Sequence, residues 1–160
     1  MAQVDFHILR ESSPGARLKL ACRLVERAYR DGARVLVRLD AETGLAEFDA
    51  LLWTFGDGTF VPHDRMVPGA APEQQEAPVC LTTGPLPATL AAWPVLIDLA
   101  LTLPPATHPP GAMLPARVIE IVDADEERRR LGRERFRAYR DAGVTPNTIN
   151  HDHETSAANG

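Results

Sequence analysis

Apolar and polar positions recur along this chain with two periods, and the switches between them mark its elements. Val4–Leu9 (V-D-F-H-I-L) is rich in β-formers and predicts a first strand, broken by Ser12-Ser13-Pro14-Gly15. Between Ala16 and Arg30, Leu18, Ala21, Cys22, Val25, Ala28 and Tyr29 follow the 3.6-residue period of an amphipathic helix. Asp31-Gly32 closes it, with glycine where a left-handed cap is wanted. Arg34–Leu39 reads as a second strand and Ala41–Trp53, with Leu45, Phe48, Leu51, Leu52 and Trp53 at helical spacing, as a second helix despite Gly44. Phe55–Thr59 is turn chemistry, Phe60–His63 a short packed connector, and Val67–Pro78 a polar loop. Val79–Thr82 and Val95–Leu101 predict further strands, the second nearly continuous in apolar residues and therefore central. Prolines 104, 105, 109, 110 and 115 forbid a helix over Leu103–Pro115. Arg117–Val122 is another strand, and Asp123–Ala142 a long charged helix closed by Gly143. The order predicts an α/β fold: a three-layer, Rossmann-like single domain over residues 1–150 with a largely parallel sheet. His151–Gly160 lacks apolar periodicity and reads as a disordered tail.

Composition changes this picture in one respect. A chain of 160 residues with 44% hydrophobic content suits one globular core. The longest apolar stretch, Leu90–Leu103, is interrupted by Pro94 and Asp98, so no membrane span is expected, and the N-terminus lacks a signal-peptide pattern. Cys22 and Cys80 make neither a disulfide framework nor a metal site, which favours a reduced, cytoplasmic setting. The net charge of -5 argues against a protein that coats nucleic acid. Yet seven of the 17 basic residues lie between Arg128 and Arg140.

Catalytic chemistry is hard to find. The first strand-to-helix turn has one glycine, short of the glycine-rich patterns by which backbone N–H groups cradle a phosphate, so no nucleotide cofactor is expected. Asp57-Gly58-Thr59 follows a helix rather than a buried strand and reads as a turn, not as a nucleophile. His63 has no argued nucleophile or orienting carboxylate and reads as a packed, hydrogen-bonded histidine. His151 and His153 make a weak metal pair, and the two cysteines read as small core residues. The reading is a non-enzyme without cofactor or metal.

The last helix offers more. At ~100° per residue, Arg129, Arg133, Phe136, Arg137 and Arg140 share one stripe, while Leu131, Ala138 and Ala142 face elsewhere and can pack on the sheet. Acids crowd the first turns and arginines the last, which suits the helix dipole and allows a plain solvated helix. Glu134 is the only acid between Arg128 and Arg140, however. Unpaired guanidinium groups around an aromatic ring make a receptor for carboxylates, and the natural ligands would be an acidic peptide or a phosphate backbone. Both readings stand on composition alone.

The run Arg133-Glu134-Arg135-Phe136-Arg137-Ala138-Tyr139-Arg140-Asp141-Ala142-Gly143, followed by Asn147-Thr148, resembles the C-terminal helix and tail of the chi subunit of bacterial DNA polymerase III. Phe60-Val61-Pro62-His63 after Leu51-Leu52-Trp53, and Asp31–Val37, resemble other segments of that family, so the likeness spans about Val4 to Asn150. The resemblance implies a clamp-loader accessory protein at the replisome, not a catalyst. It implies that Arg129, Arg133, Phe136, Arg137 and Arg140 bind the acidic C-terminal tail of single-stranded DNA-binding protein, with DNA met indirectly and no membrane involved. It further implies that Trp53 and Phe60 meet the psi subunit or a helicase, unless they are core residues. Leu103–Pro115 departs from the helical stretch familiar in that family, and the final ten residues are extra. Direct single-stranded DNA binding by the arginine helix is the alternative, and it would need stacking aromatics, for which only Phe136 and Tyr139 stand nearby.

Overall fold

A computed structural model describes residues 2–56, 58, 60–107 and 113–151. The strands are β1 (Gln3–Leu9), β2 (Val35–Leu39), β3 (His63–Arg65), β4 (Val79–Thr83), β5 (Val95–Asp98), β6 (Arg117–Val122) and β7 (Asn147–His151); the helices are α1 (Pro14–Arg30), α2 (Glu42–Thr54) and α3 (Glu126–Asp141). The strands form one sheet in the order β3-β4-β2-β5-β6-β1-β7, and every pairing is parallel.

Strand alternation divides the core in two. Val35, Val37, Leu39, Val95, Ile97, Leu99, Ile119 and Ile121 point to the face covered by α1 and α2. Val4, Phe6, Leu36, Leu96, Val118 and Val122 point to the other face, covered by α3 and by irregular chain including Leu90, Trp93 and Ala106. Buried on both sides, the central strands read as unbroken apolar runs, which is why periodicity located them. Gly32 and Gly143 end α1 and α3 with φ of 84° and 90°, the left-handed conformation that only glycine adopts without strain.

Several expectations need correction. Seven strands form among the described residues where the sequence pattern predicts five. β3 is a three-residue edge strand that starts at His63, the last residue of the expected connector, and β7 takes Asn147–His151, so His151 ends a strand instead of opening a tail. β5 stops at Asp98, because Leu99 to Leu101 already turn, with the Leu101 amide bonded back to Leu99. α3 starts at Glu126, capped by Asp125, whose carboxylate accepts the Arg128 amide at 3.0 Å. The α3 residues fully buried toward the sheet are Gly132, Arg135 and Tyr139, whereas Leu131 and Ala138 are half-buried and Ala142 is exposed. The described part of 103–115 contains no helix, and no described helix is long and apolar enough to cross a membrane. Asp57, Thr59, Pro109, Pro110, His153 and the rest of the predicted tail lie outside the described residues.

Candidate functional site

The last helix is seated by an ionic row within the core. Arg38 of β2, Asp98 of β5, Glu120 of β6 and Phe6 of β1 are cross-strand neighbours at one level of the sheet, all on the α3 face. Arg135, only 3% exposed, descends onto them from α3. Its Nη2 donates to Asp98 Oδ2 at 2.6 Å and to Glu120 Oε2 at 2.8 Å, and its Nε to Glu120 Oε1 at 2.8 Å. Arg38 donates to both Asp98 oxygens, at 3.1 and 2.8 Å, and Tyr139 Oη donates to Glu120 Oε2 at 2.8 Å. Two cations face two carboxylates, so the buried charge is balanced. Burial opposes the charge on Arg135, but Glu120 and Asp98 hold its pKa above the usual arginine value. Burial and Glu120 together push the Tyr139 hydroxyl up. Arg38 and Arg135 also reach loop carbonyls, those of Pro104 and of Ala100 and Leu103, which ties the proline-rich segment to the network. None of these roles was read from the sequence. The signals were there: charges inside three apolar strands, and Gly132, Arg135, Phe136 and Tyr139 at helical i, i+3, i+4, i+7 spacing.

Beside this anchor, α3 and β1 enclose a groove of about 330 Å³ lined by Phe6, Ile8, Val122, Arg129, Gly132, Arg133 and Phe136. Its floor is apolar. Phe136 packs against Phe6 with centroids 5.1 Å apart, and Phe6 meets Tyr139 edge-on at 5.9 Å. An adjoining polar depression of about 500 Å³ is lined by Glu126, Glu127, Arg129, Arg130 and Arg133. Three of the five residues expected for tail binding, Arg129, Arg133 and Phe136, therefore line the groove, while Arg137 and Arg140 lie further along α3, exposed and outside its wall.

Pairing sorts the seven arginines. Arg128 holds the buried Asp123 at 2.7 Å, Arg130 binds Glu127 and Glu134, and Arg135 is in the core. Arg129, Arg133, Arg137 and Arg140 are exposed, and no carboxylate among the described residues pairs with them. Tyr139 is fully buried, so it offers no stacking surface for a base.

Across the sheet lies a second exposed feature. Trp53 and Phe60 are 47% and 62% exposed and touch each other with centroids 5.4 Å apart, which settles their place on the surface. Trp53 also covers His63 at 4.2 Å. His63 is buried; its Nδ1 donates to the Val61 carbonyl at 2.7 Å, and its Nε2 lies 3.1 Å from Asp49 Oδ1. It is the packed histidine that the sequence suggested. Cys22 and Cys80 are buried free thiols pushed up to about 12 and about 11 by desolvation, so both stay protonated. At the far edge, buried His7 of β1 places Nδ1 2.9 Å from Nε2 of His151 on β7.

The sequence profile of the family described as DNA polymerase III chi subunit, HolC, matches residues 1–147. DNA polymerase III subunit chi of Pseudomonas aeruginosa is 36% identical over 145 residues, covering 89% of this chain and 92% of that protein. The subunit chi of Escherichia coli K12 is 29% identical over 139 residues, covering 81% and 82%, and that of Haemophilus influenzae Rd is 27% identical over 147 residues, covering 91% and 95%.

Proposed function

The chain belongs to the DNA polymerase III chi subunit family, a family of replication accessory subunits, and from that membership we propose that it is a non-catalytic adaptor. In this reading the α3 groove receives the acidic C-terminal tail of single-stranded DNA-binding protein, and the Trp53–Phe60 surface docks psi or a helicase. One observation carries the first half. Four exposed arginines without carboxylate partners among the described residues run along α3, and two of them overhang an apolar groove. Guanidinium forks take carboxylates bidentately, and the groove takes an apolar terminal side chain, so the site suits a peptide that is acidic and ends in an aromatic residue.

Such a peptide buries little area, so a micromolar affinity, roughly -8 kcal/mol, that weakens with salt is expected. Anisotropy titration with a labelled acidic peptide ending in Phe, and with the same peptide lacking that Phe, tests the reading. Equal affinity for the two peptides overturns it. Direct DNA binding is disfavoured, since Tyr139 is buried and Phe136 alone is left as a half-buried platform.

A further inference from the structure

We propose that Gly132 sets the shape of the groove floor and so determines which apolar side chain the groove accepts; this rests on the tail-binding reading above. Gly132 sits in the interior of α3, where glycine is a poor helix former, so local propensity does not account for it. Tertiary packing does. A Cβ at this position would stand 2.7 Å from Val122 Cγ2, closer than such carbon atoms approach, and a tight 3.2 Å from Cγ1. Both methyl groups of Val122 face the glycine, and Val122 is itself buried at the end of β6.

Gly132 and Val122 both line the groove, between Phe6 and Ile8 on β1 and Arg129, Arg133 and Phe136 on α3. A side chain at 132 must either turn Val122 or lift α3, and each response remodels the floor. The bare backbone at 132 lets α3 lie low on β6, so that Arg129 and Arg133 border an apolar floor. The arginines hold the acidic part of the ligand, and the Gly132–Val122 contact reads its apolar end. The cations give affinity with little selection, and the floor gives selection.

The test uses the full chain and three labelled acidic peptides, identical except that one ends in Phe, one ends in Trp and one lacks that terminal residue. The wild-type protein should prefer the Phe peptide to the one lacking it by about tenfold, the order expected for burying one such side chain. Gly132→Ala should lose most of that preference while keeping its salt dependence, which the arginines supply. Adding Val122→Ala to Gly132→Ala should restore the preference, since it removes the methyl groups that the new Cβ meets. Val122→Ala alone, with Gly132 intact, enlarges the floor and should shift the ranking from Phe toward Trp, and it keeps the question answerable if Gly132→Ala folds poorly. Full preference retained in Gly132→Ala, no recovery in the double variant, or an unchanged ranking in Val122→Ala each overturns the role of Gly132. A wild-type protein indifferent to the terminal Phe overturns the tail-binding reading instead.

Discussion

Arg133 and Arg135 stand two positions apart, yet ~200° of helical rotation sends one guanidinium to solvent and the other between Glu120 and Asp98. Their substitutions should therefore read out on different instruments. Arg135→Met leaves buried carboxylates uncompensated and should lower unfolding free energy by about 3–5 kcal/mol in urea titrations. Arg133→Ala or Arg137→Ala should change stability by no more than about 0.5 kcal/mol, while weakening the acidic peptide several-fold. His7 supplies a pH dependence. Burial, with help from His151, lowers its pKa from 6.5 to about 4. The unfolded chain thus takes up the proton first, so the contribution of neutral His7 is complete above about pH 6.5 and is lost as pH falls toward 4. Between pH 7.5 and pH 5 this amounts to at most about 2 kcal/mol, and His7→Gln should flatten that part of the stability curve.

At the scale of elements, α3 is held by its cap, its buried network and its close approach at Gly132, and none of the three was read from the sequence, which starts the helix at Asp123. Asp125→Ala should cost about 1 kcal/mol, measured by thermal unfolding, because the Arg128 amide loses its acceptor. The strands divide by burial. β2 and β5 are buried throughout, so their apolar runs announced them. Among the described residues β7 (N-T-I-N-H) pairs only with β1, and it is exposed along almost its whole length, so no alternation marks it, and its place comes from backbone pairing plus the Asn147–Asp5 and His151–His7 contacts. Amides of β7 should accordingly exchange with solvent far faster than those of β2 and β5 in native-state hydrogen exchange. β3, three residues long at the other edge, was hidden for the same reason.

For the molecule as a whole, net charge and local charge make separate statements. At -5 the protein repels a polyanion in general, while the four exposed arginines of α3 concentrate positive potential on one face of the sheet. Acidic-peptide affinity should fall as salt rises, and an immobilised single-stranded oligonucleotide should not retain the protein at physiological ionic strength. Tight retention that the peptide fails to compete would favour the DNA-binding reading. Trp53 and Phe60 belong to the other face, the one covered by α1 and α2. The proposed partners therefore address opposite sides of one sheet, an arrangement suited to an adaptor.

What the chain determined by itself was everything governed by local period and local charge: the alternation of strand and helix, the central strands, the glycine stops at 32 and 143, the break over the prolines, and the crowding of arginine on the last helix. What only the tertiary structure decided was the fate of each charge. Asp98 and Glu120 stand 37 and 15 residues before Arg135 in the chain, and parallel pairing of β5 with β6 makes them neighbours beneath it. The groove floor likewise joins Phe6 and Ile8 to residues more than a hundred positions away. Helical spacing can put seven arginines on one helix, but which are paired, buried or left open depends on what strands distant in sequence bring beneath them.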